Sequence, residues 1–407
     1  MRSISLCFGV ICAGFLLLSS PAVGDEEPAS FADAFKGGKA GMSFRYRFEN
    51  VSDDAVASGK EAQASTLRTT LSYTTQAYKN WKFFTEAENV AAVGDDAYNN
   101  RGAGGLANGV TDRPVVVDPA MTELNQVYAR WNNGDTTVTA GRQEILLGDQ
   151  RYVGAVGWRQ NHQSFDALSL AHTGVASWAF HYSFIDTVNR IFGDSQGMVG
   201  HLANANYAWD GVGALTLYGY LLDYDAASVL SSSTFGVELS GKRGLENGWN
   251  LLYELEAAQQ SDAGDNPRNL DAGYFHAAIG AGGKVTVRAG IEHLEGSPAD
   301  GQFRTPLATL HKFNGWADKF LATPVNGLED IYFQVAGKTP QGLNWVVFYH
   351  DFGATEGGAS YGSETDIQLT YKTSKGIGLG LKGALYVADS HASDTDKWML
   401  WAGYGFK

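Results

Sequence analysis

The sequence predicts an all-β fold, a transmembrane antiparallel up-and-down barrel of about eighteen strands, and three observations carry that prediction. Stretches of roughly ten residues alternate apolar and polar side chains, as a strand between lipid and water must. The connections between those stretches alternate between tight and long. The composition (Gly 50, Tyr 19, Phe 21, Trp 10) joins a slightly negative mean hydropathy to an abundance of aromatic rings. The average is hydrophilic, and the pattern beneath it is amphipathic.

The chain opens with the features of a secretory signal peptide, residues 1–24: Arg2, an apolar stretch from Ile4 to Leu18, and Ala22-Val23-Gly24 at the cleavage positions. Both cysteines, Cys7 and Cys12, fall inside it, so the mature chain is expected to lack disulfides and thiolate metal sites. Loss of Arg2 moves the formal charge from −14 to −15. That acidity argues against nucleic acid as a partner, because phosphate binding needs a basic surface. Residues 25–39 form a polar leader placed in the periplasm, and residues 40–407 form the barrel.

The strands follow in order. Met42, Phe44, Tyr46 and Phe48 oppose Ser43, Arg45, Arg47 and Glu49. Leu67, Thr69, Leu71 and Tyr73 oppose Arg68, Thr70 and Ser72; Val127, Ala129 and Trp131 oppose Tyr128 and Arg130. Trp178, Phe180, Tyr182 and Phe184 oppose His181 and Ser183, and Val285, Val287, Ala289 and Ile291 oppose Thr286, Arg288 and Glu292. Residues 211–224 are apolar on both faces and define a strand less sharply. The tight connections include Asn132 to Asp135, Trp209 to Gly211 and Thr373 to Gly376; the long ones are 93–120, 144–163, 186–197 and 296–328. This parity puts both termini in the periplasm. A miscounted hairpin would make the barrel sixteen-stranded. The final strand, Trp398 to Phe406, resembles the signal read by the barrel-assembly machinery, with Lys407 in place of a terminal aromatic.

Two long loops carry the chemistry. GRQEILLGDQRYVG (141–154) and WRQNHQSFD (158–166) are dense in bidentate donors and acceptors and are expected to fold inward and narrow the lumen, or to brace the loop on the wall. The second loop, TPLATLHKFNGWADKF (305–320), is aromatic enough to form a lid, with His311, Lys312 and Trp316 as its candidates, or to pack on itself as a cap.

These phrases, with NGLEDIYF (326–333), resemble the landmarks of the alginate export family of outer-membrane barrels, and the barrel pattern extends the likeness over nearly the whole mature chain. The resemblance implies an eighteen-stranded monomeric pore passing an anionic polysaccharide along an arginine-lined constriction. Carried onto this chain, the constriction candidates are Arg142, Arg151 and Arg159, oriented by Asp149 and Asp166. Arg45, Arg47, Lys82, Arg68, Arg130, Arg288 and Lys382, on inward faces, extend the basic track. Guanidinium binds carboxylate bidentately, and many weak sites let a polyanion slide. Glu49, Glu86, Glu88, Glu238, Glu254, Glu256, Glu292 and Asp366 point to the same lumen, so inward charge is balanced. The expected partners are outer-membrane lipid and lipopolysaccharide, the barrel-assembly machinery, periplasmic export components and a saccharide or small-solute cargo.

Other readings remain at this point. A soluble secreted β-protein would need a second sheet to bury the aromatic faces. A substrate-specific porin for small organic solutes shares every feature above. An outer-membrane enzyme is suggested by His181-Tyr182-Ser183, although alternation turns His181 and Ser183 to the lumen, and His350 and Asp351 point to opposite faces. An energised transporter needs a plug domain larger than residues 25–39. The acidic loop tips lack the spacing of a calcium loop, and no cofactor motif is present.

Overall fold

The computed structural model describes residues 27–246 and 248–406; residues 1–24, where a signal peptide is expected, lie outside the described residues, as do Asp25, Glu26, Asn247 and Lys407. A short helix, α1 (Phe31–Lys36), precedes twenty strands. They are β1 (Lys39–Asp53), β2 (Ala62–Thr74), β3 (Trp81–Ala92), β4 (Met121–Asn133), β5 (Thr136–Gln143), β6 (Ser164–His172), β7 (Trp178–Asn189) and β8 (Ser195–Trp209). β9 (Gly213–Tyr224), β10 (Ser232–Gly244), β11 (Asn250–Asp262), β12 (Asp271–Gly282) and β13 (Val285–Leu294) continue the wall. A two-residue hairpin, β14 (Gly296–Ser297) with β15 (Gly301–Gln302), stands apart. β16 (Leu328–Lys338), β17 (Asn344–Gly353), β18 (Ser360–Lys372), β19 (Gly378–Ala388) and β20 (Thr395–Phe406) complete it.

Every wall strand pairs antiparallel with its neighbours, and β1 pairs with both β2 and β20, which closes an eighteen-stranded barrel. Closure removes the sheet edges, which lipid could not hydrate. The outer face is apolar and open: Phe235, Ile279, Leu255 and Val237 are all exposed on it. Gly134, at φ +60°, lets β4 reverse into β5 through a turn of a kind closed to most side chains. At the opposite end the connections 93–120, 144–163 and 295–327 are long, as the sequence predicts.

Two departures have physical reasons. Residues 186–197 are expected as a long loop, but β7 runs to Asn189 and β8 starts at Ser195. A bulge absorbs Asp186 while the ladder continues, and Arg190 clamps Asp194 from Nε to Oδ1 at 2.9 Å across the remaining turn. β9 is apolar on both faces because its inner row, Tyr218, Tyr220, Leu222 and Tyr224, is covered by residues of the 144–163 loop. In the leader, α1 is capped by Ser30 and lies on the outer wall, with Phe31 edge-on to Phe83 (5.3 Å) and Phe35 against Tyr73 (5.1 Å).

The outward row sets a test. Val237→Arg places a charge near the middle of the lipid face of β10 and is expected to cost about 2–4 kcal/mol of barrel stability in lipid vesicles. Gln334→Lys on the inner face should cost less, as denaturant titration of the two variants would show.

Candidate functional site: the inward loops and the lumen wall

The long loops fold inward because their apolar residues find the inner wall. Ile145, Leu147 and Val153 pack with Phe165, Ile185, Met198 and Leu202. Phe303, Trp316 and Phe320 pack with Tyr274, Leu294, Phe352 and Tyr386 on the other side. Tyr98 and Val116, from the 93–120 loop, seat on Val51, Ala62 and Ala64. The two larger loops also hold each other. The Gly154 N–H donates to the Leu307 carbonyl at 2.9 Å, the Thr309 N–H donates to the Gln150 carbonyl at 3.1 Å, and Lys312 Nζ lies 3.2 Å from the Asp149 carboxylate. They form one unit.

Charged residues fill the seam between this unit and the wall. Arg159 reaches Glu49 of β1 (3.3 Å) and Asp318 of the second loop (2.9 Å). Asp318 also accepts from Lys397 Nζ (2.6 Å) and from the His311 Nδ1–H (2.7 Å). His311 Nε2 accepts from Lys382 Nζ at 3.1 Å. Arg151 meets Glu292 of β13 at 2.6 Å and donates to Asn314 Oδ1 at 3.2 Å. Asn314 in turn donates to Glu292 (2.6 Å) and Asp330 (3.1 Å). The Ala317 and Trp316 amides donate to Glu364 (2.7 Å) and Asp366 (3.2 Å) of β18. Trp158 lies at the centre: it stacks on His311 at 4.8 Å, and Lys382, Arg47 and Arg45 approach its ring at 4.0, 5.1 and 5.3 Å.

The structure brings most of the expected residues together, with different partners. Arg151, Arg159, Arg45, Arg47, Lys382, His311, Lys312 and Trp316 converge on the seam. Arg47 is fully buried, paired with Asp118 and with Glu49 at 3.2 Å. Arg68 binds His162 and lies 3.8 Å from Glu88, and Arg288 pairs with Glu254 on the wall. Arg130 donates to Thr139 Oγ1 (3.1 Å), and Lys82 sits directly opposite Arg130 on the inner face. Arg142 and Asp166 depart from the expected track. Arg142 pairs across the ladder with Val127, which is exposed on the lipid face, so its bond to Asp166 (2.7 and 2.9 Å) lies on the outer wall. Asp149 does not orient an arginine side chain; it accepts from the Arg151 backbone N–H (3.0 Å) and holds Lys312. Asp118, Trp158, Asn314 and Asp318 are the residues that sequence reasoning did not single out. The last three lie inside the two motif loops, which was the available signal.

His181 Nε2 lies 2.8 Å from Ser183 Oγ on the inner wall, and Ser183 bonds Ser169 at 2.7 Å; no carboxylate completes a triad there among the described residues. His350 faces inward onto Asp330 (2.9 Å), and Asp351 faces out.

Burial pushes the His311 imidazole down to about 3, against the pull of Asp318. Burial alone would raise the Asp318 carboxyl, but His311, Lys397 and Arg159 outweigh it and hold the group well below the usual range. Docked His311 is therefore neutral, whereas an undocked imidazole titrates near 6.5. Acidification below that value favours the undocked loop, and protonation of free Asp318 adds to this only below about pH 4. Open-channel current fluctuation is expected to rise from pH 7 to pH 5 and to lose that dependence in His311→Gln. Planar-bilayer recordings flat across that range for both proteins would show that His311 does not hold the loop in a pH-dependent way.

Comparisons with known proteins place this geometry. Solved structures share the fold: OpdK of Pseudomonas aeruginosa, determined with vanillate, has a TM-score of 0.72 at 16% identity over 91% of this chain and 99% of that chain. OccK9 (OpdG) of the same organism has 0.71 at 15% over 92% and 99%, and OccAB2 of Acinetobacter baumannii 0.70 at 16% over 92% and 100%. No curated protein sequence matches the chain. The alginate export family model matches residues 38–283. That match spans more than half of a chain folded as an outer-membrane porin barrel, and the protein belongs to the alginate export family.

Proposed function

We propose that the protein is a passive outer-membrane channel for a polar anionic saccharide, with a polyuronate such as alginate as cargo, and that it is not an enzyme. The observation that carries this reading is a pair of like-charge positions opposed across the inner wall. Arg45 lies directly opposite Arg68, and Lys82 directly opposite Arg130. Opposed like charges on neighbouring strands are destabilising, so each pair is suited to an anion held between its members. Arg68 lies opposite Val90 and Arg130 opposite Lys82, which sets the two pairs about 26 Å apart along β3, as successive stations. The far wall has the reverse sign, with Glu238 directly opposite Glu256. The cargo track therefore runs along β1 to β4, and not around the whole circumference.

Arg151 and Arg159 play another part in this reading. Their guanidiniums are taken up by wall and loop carboxylates, and burial, which alone would lower them, is outweighed by Glu292 for Arg151 and by Glu49 and Asp318 for Arg159. They hold the loop unit in the lumen, where a cargo carboxylate competes with Glu292, Glu49 and Asp318. Cleavage near residue 24 leaves the leader at the periplasmic rim, and a closed monomer needs no second chain to complete the wall.

A second reading, a porin for small organic anions, is favoured by one observation: the packed loop unit occupies the centre of the lumen. OpdK, determined with vanillate, shares the fold.

Planar-bilayer conductance separates the two. Short uronate oligomers are expected to block discrete channels where neutral oligosaccharides do not, and Arg45→Gln or Arg130→Gln should weaken the block by about tenfold. Block by small monocarboxylates alone would move the assignment to the second reading. Arg159→Ala leaves Glu49 and Asp318 buried without that partner, a loss of about 3–5 kcal/mol in loop docking. It should raise the unblocked conductance; an unchanged conductance would mean that the loops do not gate.

A further inference from the structure

The inner wall carries a cavity below the loop unit, at the tight-turn end, that none of the contacts above explains. It measures about 410 Å³ and is lined by Trp401, Asn344, Thr370, Lys372 and the glycines of β19 and β20. Sites that enclose small ligands fall in this size range, with aromatic faces and a few placed polar groups.

The register shows how the cavity is built. Along one row of the inner face, Lys372 lies opposite Gly378, Gly378 opposite Gly403, and Gly403 opposite Arg45. Two cations thus flank two positions without side chains. A Cβ at Gly378 or Gly403 would meet nothing closer than a backbone oxygen at 3.8 or 3.6 Å, so the strip is open space. At three strand spacings, the two cationic positions stand about 14 Å apart. The next row toward the loops carries Thr370, Gly380 and Trp401, and the indole of Trp401 covers Gly380. Trp401 is half-buried and meets the edge of Trp158 at 5.3 Å. Asn344, opposite Thr370, adds an amide next to a hydroxyl.

The cations here lack the neutralising partners found in the seam. Lys372 is exposed and makes no ion pair among the described residues. Arg45 donates to the carbonyls of Gly157 (3.0 Å) and Arg159 (3.4 Å), and no carboxylate pairs with it at salt-bridge distance among the described residues. An aromatic platform, a bare floor, an unpaired lysine in the lining and, beyond it at the end of the row, an arginine held only by loop carbonyls match one chemical class: a short uronate segment, with a sugar face on the indole, one carboxylate on Lys372 and the next directed along the strip toward Arg45.

We infer that this cavity is a uronate subsite at the periplasmic mouth, where an anionic saccharide is held before it meets the loop unit. The inference rests on the anionic-saccharide reading of the channel and adds a location and residues to it. Because Arg45 also holds the Gly157 and Arg159 carbonyls, a carboxylate at Arg45 competes with the contacts that seat the first loop. Occupation of the mouth and loosening of the loop are coupled through that one guanidinium.

The test is titration calorimetry of the full barrel in detergent with tri-uronate, beside block of bilayer channels by the same oligomer added from each side. Binding is expected, with faster block from the tight-turn side. Gly403→Val, which fills the strip, and Lys372→Gln should each weaken binding by about tenfold, and Lys372→Arg should restore most of the loss. Trp401→Leu should weaken binding too, but Trp401 also touches Trp158, so the Gly403 and Lys372 variants are the decisive ones. Block of wild type that is indifferent to Gly403→Val and Lys372→Gln overturns the subsite and leaves the channel reading in place. Neither binding nor block overturns both.

Discussion

Inside a bilayer, a backbone N–H or C=O without a partner has no water to turn to, and the rest of this molecule follows from that constraint. It requires β1 to find β20 and close the wall. A strand has a side-chain period of two, and closure turns its two faces into lipid and lumen, so the period sorts every wall side chain to one or the other. The wall consequently brings Glu49, Glu292, Asp330, Glu364 and Asp366 to the inner face whether or not anything waits there to meet them. The inward loops supply what these carboxylates need: Arg159 for Glu49, Arg151 for Glu292, Asn314 for Asp330, and the amides of Ala317 and Trp316 for Glu364 and Asp366.

The loop unit is thus held by two different forces. Its apolar residues are buried against β6 to β9 on one side and β12 to β19 on the other, a non-directional contribution that scales with area. Its charges are paired to the wall, and a buried pair contributes little net stability because desolvation cancels most of the attraction. The pairs contribute position instead. Removing one member leaves the other stranded, so the geometry is specified sharply even where the net energy is small. This division explains why the lumen carries so many buried ions in a protein whose wall is already stabilised by its ladder.

The fold was legible because its signal is local. The alternation Phe44, Tyr46, Phe48 against Arg45, Arg47, Glu49 needs no knowledge of any other strand, and the parity of connections needs only their lengths. The seam was legible as a place and not as a set of partners. The motif loops contain Arg151, Arg159, His311 and Trp316, but their partners come from β1, β13, β18 and β19, more than a hundred residues away in several cases, and no local pattern encodes that. Arg142 shows a different error. The motif drew it toward Arg151, whereas the alternation Val138, Ala140, Arg142 against Thr139, Gly141, Gln143 already sends it outward, as its cross-strand neighbour Val127 confirms. Where a motif and a strand period disagree, the period is the physical constraint and the motif is only an association. The double-faced apolarity of β9 carried a readable message as well: an inner wall row of Tyr218, Tyr220 and Leu222 implies that something apolar covers it.

Conduction through such a lumen depends on how the cations are held. A guanidinium locked to a buried carboxylate, as Arg151 is to Glu292, offers cargo an exchange of one anion for another, and the exchange is slow if the buried acid is left bare. A guanidinium held by carbonyls, as Arg45 is, offers its charge with little to displace. The second arrangement suits the anionic cargo proposed above, since a sliding polyanion needs contacts strong enough to admit it and weak enough to release it. Arg130, held by the Thr139 hydroxyl, and Lys82 and Lys372, like Arg45, make no carboxylate pair among the described residues, and all four lie on the tight-turn half of the wall. Arg151 and Arg159 are of the first kind and lie in the loops. On the anionic-cargo reading proposed above, cations without carboxylate partners below the loops and locked ones within them separate the track from the gate, so an anion is gathered before it meets the loop unit.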